Sequence, residues 1–515
     1  MLKFRQTRRG FLATTAAVGA GTLFAGLPRW ANAAGNTLNV RFDGDIEILD
    51  PGYMTGGVEI ETQKAVLPFL VEYTTKGDTF TWRPTVFAKS VVQRDETHID
   101  FELNEGFKWS RGFGEVKASD VKYAFERMKT TDWSGTFEAL DHVEVTGSHS
   151  GTVVLNEPFS PFIMIALASG PAAILSEKAT EKAGGKFTLD IPATCGPYLY
   201  ESNPGQRVVF KPNPDWTGPK PTFETVNALV IGEIKAAELA FEAGEVACTE
   251  IGPDTMARYQ KKMPDNSAMK VAGELQYMWM GMNTEHPKLQ DIRLRKAIQH
   301  AVDVDSILQG AYSGTTAKSF GIVCPGLVGK RNKAGYSYDP AKARQMLSET
   351  GVSNLELDLR TLNLQERMLA SQIIQANLGA VGIKVNVIPM DSGPFWDMGQ
   401  ESKGDAWKDL QLWLMRYGTN PDPYEATQWF RSDQVGVWNW ERWTDPEYDR
   451  LYKEGIAETD PDKRDATYKR MQEIMENTGA YVWINHEPET FIHSSDVKIH
   501  VAPSGEVNLP NFKRA

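Results

Sequence analysis

Read from its residues, this chain is an α/β protein built as at least two lobes, and three observations carry that reading. About 480 of the 515 residues remain after an N-terminal export segment, more than one hydrophobic core ordinarily supports. Leu355, Leu357 and Leu359 alternate, a helical stripe of Leu369, Ile373 and Ala376 follows, and Ile383, Val385 and Val387 alternate again, which is the pattern of a βαβ unit with parallel strands. The run from Thr97 to Arg127 joins a strand, a glycine turn and a helix: Ile99, Phe101 and Leu103 alternate with Asp100 and Glu102, Gly106 turns the chain, Ser119 is placed as N-cap, and Val121, Ala124, Phe125 and Met128 share one helical face.

At the N-terminus, Thr7-Arg8-Arg9-Gly10-Phe11-Leu12 reads as a twin-arginine export motif followed by a weakly apolar stretch from Ala13 to Leu27. Ala31-Asn32-Ala33 offers a small-x-small cleavage site, so residues 1–33 are read as a signal peptide and the mature chain as starting at Ala34. The apolar stretch is shorter than the roughly 20 residues a membrane-spanning helix needs. The mature protein is therefore expected free in the periplasm of a Gram-negative cell. Removal of Lys3, Arg5, Arg8, Arg9 and Arg29 shifts the formal charge from -12 to -17. Such an acidic surface disfavours nucleic acid and anionic membranes and favours cationic ligands. Cys195, Cys248 and Cys324 allow at most one bridge, and no Cys/His spacing indicates a metal.

From Ala34 to about Met269 short strands alternate with Gly/Pro-rich loops, and the five prolines between Asn203 and Pro221 are expected to exclude regular structure there. Ala236 to Val246 reads as a short helix ending at a glycine. Gln276 to Asn283 reads as a strand, and Asp291 to Val302 as a helix with Leu294, Ala297, Ile298 and Ala301 on one face. Asp339-Pro340 supplies an N-cap with Pro at the first helical position, and Gly351 a C-terminal stop. Asp445-Pro446 and Asp460-Pro461 open two further helices before Tyr481 to Ile484 runs as a strand.

The string F-x-L-x-x-G-x-x-W, a Gly-rich loop, then A-x-D-V-x-x-x-x-x-R, here Phe101 to Arg127, resembles the signature of family 5 of the extracellular solute-binding proteins, the dipeptide- and oligopeptide-binding proteins of bacterial ABC importers. Cys195-Gly196-Pro197-Tyr198, the Lys211 to Trp216 segment and Asp291-Ile-Arg-Leu-Arg-Lys-Ala-Ile-Gln-His-Ala-Val-Asp303 match further family segments in the same order. The resemblance implies a two-lobed periplasmic-binding-protein fold (type II, cluster C) with an extra subdomain in lobe one. Lobe one would comprise residues 34–279 plus 485–515 and lobe two residues 280–484, the chain crossing near Met280 and Ile484. It implies a monomer that closes on a small polar solute and delivers it to an ABC permease and ATPase complex, with no catalysis, cofactor or metal of its own.

Candidate ligand contacts come from residue chemistry and from that resemblance. Seven tryptophans (Trp396, Trp407, Trp413, Trp429, Trp438, Trp440 and Trp443) fall within 48 residues, interleaved with Arg416, Tyr417 and Asp422. At least half are expected in the core, and the remainder offer rigid stacking area. Trp438 and Trp440 would share a face if their segment is extended. In peptide-binding relatives an Asp four residues before the position of Pro423 meets the ligand ammonium. Here that position holds Thr419, and Asp422 is the nearest acid. Met54-Thr55-Gly56-Gly57 corresponds to a lobe-one ligand loop, where glycines admit close backbone approach. Arg360 lies where some relatives hold an arginine for a ligand carboxylate.

The sequence contains no HExxH, GxSxG or GxxxxGK[ST] motif, and Gly147-Ser-His-Ser-Gly151 has His where a nucleophile elbow needs Ser. Di- or oligopeptides lead as the expected ligand, followed by opines and oligosaccharides. A secreted hydrolase is the rival from another class, and a periplasmic chaperone a more distant one.

Overall fold

The computed structural model describes residues 36–54, 56–203 and 205–515. The export motif and Thr55 lie outside the described residues. Two groups of sheets divide the chain. In the first, Thr37–Phe42, Thr225–Val230, Arg207–Pro212 and Tyr198–Asn203 form a four-stranded sheet in that order, and Cys248–Glu250, Thr490–Ser494 and Ser267–Val271 form a three-stranded one. Ala88–Gln93, His98–Leu103, Ser150–Leu155 and Leu140–Val145 build a separate antiparallel sheet, the extra subdomain of this lobe. The second lobe rests on a six-stranded sheet ordered Ala317–Lys318, Tyr481–Glu487, Gln276–Met282, Leu412–Gly418, Glu356–Leu362 and Lys384–Met390.

The Gln276–Met282 strand shows why that sheet reads as an unbroken apolar run. Its alternate residues enter different cores: Tyr277 and Trp279 join the aromatic one, while Met278, Met280 and Met282 join the aliphatic one. Gly281 has no side chain because a Cβ there would lie 2.4 Å from both the Trp413 ring and Glu441 Oε1. Glu356–Leu362 and Lys384–Met390 are parallel and adjacent, joined by the Gln365–Ala380 helix. The buried face of that helix is Ala370, Ile374 and Leu378, one position on from the expected stripe, and Leu369 points outward.

The aspartate-proline helix starts form as read. Asp339, Asp445 and Asp460 each accept backbone N–H groups of the first turn, with proline at the first helical position. The helix Ala118–Met128 begins two residues earlier than expected, with Lys117 as N-cap and Ser119 inside it; Asp120 accepts the Lys117 N–H at 2.9 Å and takes the capping role. The proline-rich stretch is irregular only in its second half, 213–221, which holds Pro214, Pro219 and Pro221. Arg207–Pro212 pairs with strands on both sides, because its proline falls at the last strand position. All three cysteines are buried and free.

The signature residues form a structural knot. Arg127 donates Nη1 and Nη2 to the two carboxylate oxygens of Asp50 at 2.8 and 2.6 Å, and also bonds Gly185 O. Asp120 accepts the indole N–H of Trp109 at 3.0 Å and the Glu177 N–H at 3.1 Å. The family-like string thus ties the subdomain to the Leu49-Asp50 segment.

The chain passes between the lobes twice, at 272–275 and at 488–489, and Met280 and Ile484 lie inside the six-stranded sheet rather than at the crossings. The two crossings run side by side: Ala272 N–H donates to Glu489 O at 2.8 Å and Gln276 pairs with Glu487. Away from them the lobes also touch, where Phe159 meets Tyr424 edge-on at 5.0 Å and Ser160 N–H donates to Ile456 O at 2.8 Å. Gly273 sits in the first crossing with space for no side chain, since a Cβ would fall 1.8 Å from Pro503 O. Gly273→Ala should therefore displace the crossing and cost about 1–3 kcal/mol. A urea denaturation midpoint equal to that of the parent would contradict this packing.

Candidate functional site

The second crossing, through Pro488 and Glu489, lines a cavity of about 410 Å³ with walls from both lobes. Lys235, Glu250, Asp254 and Thr490 face it from the first lobe; Gln276, Tyr312, Glu366, Arg416 and Glu487 face it from the second. A neighbouring cavity of about 240 Å³, lined by Arg41, Asp43, Gly57, Glu61 and Glu506, shares Glu250 and Glu489 with the first, so the two meet as one trough. That size suits a small solute. A third cavity, of about 180 Å³ beside Phe87 and Trp216, is walled by the first lobe alone.

Charge is distributed unevenly along the trough. On the second lobe, Glu487 faces two arginines: the buried Arg367 forms an ion pair with it, Nη2 to Oε1 at 2.9 Å, and the exposed Arg416 donates Nη1 to Oε2 at 2.7 Å. Burial opposes ionisation there, but the two guanidiniums hold the Glu487 carboxyl below the usual range. On the first lobe the carboxylates crowd one another. Burial, reinforced by Glu250 and Glu506, pushes Glu489 up to about 7. Burial pushes Glu61 up to about 8, the Val507 N–H opposing it and Asp43 and Glu506 adding to it. Glu250 is raised by burial despite Arg41.

Among the residues expected at a ligand site, Arg416 and Gly57 line the trough, and nothing stands within 4 Å of a Cβ built on Gly57. Thr55 lies outside the described residues. Gly56 is half-buried, and Met54 is buried with its carbonyl accepting the Trp133 indole N–H. Arg360 is half-buried on its strand between Ile388 and Trp413, outside the cavity lining. Thr419 is half-buried and donates its hydroxyl to Asn420 O.

The aromatic expectation needs correction. Trp413, Tyr417 and Trp440 belong to the core of the second lobe, where Trp413 packs on Trp440 at 6.1 Å and Tyr417 on Trp279 at 5.0 Å. The Trp438–Trp440 segment turns instead of extending, because the N–H groups of Trp438 and Asn439 both donate to Gln434 O. Trp438 is therefore half-buried against Trp429 and Trp396, and Trp440 is only 1 % exposed. None of the seven clustered tryptophans lines the trough.

Asp422 is also otherwise employed. It is 3 % exposed, accepts Arg464 Nη2 at 2.9 and 3.0 Å, and caps the Pro423–Gln428 helix through the Tyr424 N–H. Its carboxylate is thus not available as an ammonium anchor. Asp422→Asn should lower stability by about 1–3 kcal/mol while the folded variant keeps the parent's solute affinity within about twofold. A melting curve and a binding titration on the same preparation check both halves.

Lys235, Glu250, Gln276, Glu487 and Glu489 were not expected at the site. His486 is buried on Gln276 O, where burial pushes it down to about 4, and Glu487 serves the two arginines. No group of three or more potential metal ligands occurs among the described residues.

Comparison with known proteins completes the description. The model of a family described as "Bacterial extracellular solute-binding proteins, family 5 Middle" matches residues 82–438. A curated relative, the probable D,D-dipeptide-binding periplasmic protein of Escherichia coli (strain K12), is 26% identical over 473 residues, covering 88% of this chain and 89% of its own. Among solved structures, NikA from Brucella suis in complex with Fe(III)-EDTA superposes with a TM-score of 0.78 at 22% identity, over 93% of this chain and 100% of that one. MoaA from A. tumefaciens R10 in complex with mannopinic acid superposes with a TM-score of 0.71 at 21% identity, over 93% of this chain and 99% of that one.

Proposed function

Because the chain belongs to the bacterial extracellular solute-binding proteins of family 5, we propose that the trough at the lobe crossings is where it captures its solute, and that the lobes close over it for delivery. The protein is the periplasmic binding component of an ABC importer, working with a membrane permease complex that spends the ATP. The observation that carries the placement is the cavity walled by both lobes against the 488–489 crossing and beside Gln276, where the other crossing enters the second-lobe sheet. A rotation there changes the gap between walls while each core stays packed, which is the geometry of hinge closure. A solute touching both walls binds the closed form better and shifts the population toward it. The permease then reads the closed shape.

This chain supplies binding and no chemistry of its own. Di- or oligopeptides remain the leading solute class, with opine-like amino-acid conjugates second, since a solved structural neighbour holds mannopinic acid. Less supports an oligosaccharide, since Trp413, Trp440 and Trp443 are buried in the second-lobe core and none of the clustered tryptophans lines the trough. A thermal-shift screen over peptides, opines and sugars, followed by small-angle scattering with each hit, tests the reading. A hit at 100 times its dissociation constant should add about 2.7 kcal/mol of stability and reduce the radius of gyration. Saturable binding without compaction would reject closure, and binding undisturbed by Gln276 or Arg416 substitutions would reject the trough.

A further inference from the structure

We propose that a cavity beside the first crossing, flanked by Lys270 and His500, is a second binding site, which takes a small organic monoanion with an apolar body. The cavity and the trough share no lining residue, so this site goes beyond solute capture and does not depend on it.

The cavity holds about 380 Å³ between the Val71–Lys76 strand, the 270–273 segment and residues 499–503. Its chemistry departs from that of the rest of this acidic chain, because no aspartate or glutamate lines it. Apart from Tyr73, whose hydroxyl donates to Met164 O at 2.8 Å, its ionisable side chains are Lys270 and His500. Lys270 is exposed and has no carboxylate within ion-pair distance among the described residues. A lone ammonium at a cavity wall is suited to one negative charge.

His500 supplies an independent observation. Its Nδ1 is buried without a hydrogen-bond partner, which costs free energy until a ligand fills the position. Burial holds the ring below its usual range, Glu72 opposing that shift and Arg83, Lys64 and Lys270 adding to it. Glu72 is itself paired with Arg83 at 2.8 Å, and Lys64 with Glu506. His500 therefore meets an anion as a neutral N–H donor, and Lys270 supplies the charge.

The rest of the wall describes the rest of the ligand. Phe80, Val271 and Ile499 offer apolar surface, and Thr74 and Thr75 offer hydroxyls. An inorganic anion would leave the apolar wall uncovered. A neutral molecule would leave Lys270 unpaired, and a dianion would bring a second charge that nothing offsets. Position gives the site a consequence. Ala272 and Gly273, which line it, are the first crossing itself, and the Phe80 N–H donates to Gly326 O of the second lobe at 2.7 Å. An occupant thus steadies the segment on which the lobes turn, including the hydrogen bond from Ala272 N–H to Glu489 O.

Titration calorimetry with benzoate, hexanoate, their two amides and inorganic phosphate tests the site. At least one of the two carboxylates should bind saturably, with its amide and phosphate weaker by about tenfold or more. Lys270→Gln should bring acid and amide within about twofold of each other. Because Lys270 is exposed, that variant should keep the parent's melting temperature. His500→Phe should weaken the carboxylate as well. Hydrogen-exchange mass spectrometry on the unaltered protein locates the anion without any substitution: the bound carboxylate should slow exchange at 270–273 and 499–503 and leave 250–254 and 414–418 unchanged. Binding of neither carboxylate, equal binding of acid and amide, or an acid preference that survives Lys270→Gln would each overturn the second site. Protection confined to 250–254 and 414–418 would overturn it too, by moving the anion into the trough. None of these outcomes removes solute capture, which the screen described above tests separately.

Discussion

Arg127→Ala should destabilise the protein by about 3–5 kcal/mol without changing what the folded fraction binds. The Arg127 and Asp50 side chains are 10% and 0% exposed. Removing the guanidinium leaves a buried carboxylate supported only by the N–H groups of Gly52 and Phe187, at 3.0 and 3.2 Å. It also strips Gly185 O of its donor. Arg127→Lys keeps the charge but loses the two-pronged contact, so it should fall between the parent and the alanine variant. Urea denaturation of Arg127→Ala, Asp50→Asn and the double variant closes a cycle in which the double variant costs less than the sum of the singles. An unchanged midpoint for Arg127→Ala would show that the knot carries no stability. The most recognisable string in this chain would then need another reason for its arrangement.

That string illustrates what residue patterns do and do not reveal. Features set by neighbours in sequence were legible. Strands with one or two buried faces, the βαβ unit and the three Asp-Pro helix starts all follow from local sterics and hydrogen bonding, and they appear within a residue or two of expectation. The solute trough was not legible in the same way. Glu250, Gln276, Arg416 and Glu489 come from four distant segments that meet only because the two crossings are paired, and no spacing along the chain encodes that meeting. Tryptophan density misled for a related reason. A cluster of rings lining a cleft and a cluster filling a core have the same composition, and only the turn at Gln434–Trp440 and the packing of Trp413 on Trp440 decide between them. Asp422 was ambiguous until Arg464, 42 positions away, was seen to occupy it.

Glu441→Gln should make the protein progressively more stable than its parent as pH rises from about 5 to about 8. Glu441 is 0% exposed, accepts the Trp279 indole N–H at 2.7 Å and the Tyr481 hydroxyl at 3.3 Å, and has no cation within ion-pair distance among the described residues. Burial pushes its carboxyl up to about 8, the two hydrogen bonds opposing that shift. Between the ordinary carboxylate range and that value the folded chain holds a proton that the unfolded chain has released, so stability falls with rising pH; above it the difference no longer grows. Glutamine stays neutral and keeps the acceptor for Trp279. The gap between the two proteins should therefore widen by up to about 1.4 kcal/mol per pH unit. Buried His486 acts on both proteins alike and cancels in the difference. Parallel stability profiles across this interval would refute a protonated Glu441.

The three-stranded sheet of the first lobe sets a condition on the order in which the molecule can be completed. Its middle strand is Thr490–Ser494, which pairs with Cys248–Glu250 on one side and Ser267–Val271 on the other. During synthesis the two outer strands emerge more than 200 residues before the strand that joins them. They must wait through production of the entire six-stranded sheet, each with an open edge that invites wrong partners. Completion of the first lobe is thus the last long-range event in folding. A nascent chain halted just before Thr490 should remain protease-sensitive around 248–271 even when its second lobe has already become resistant.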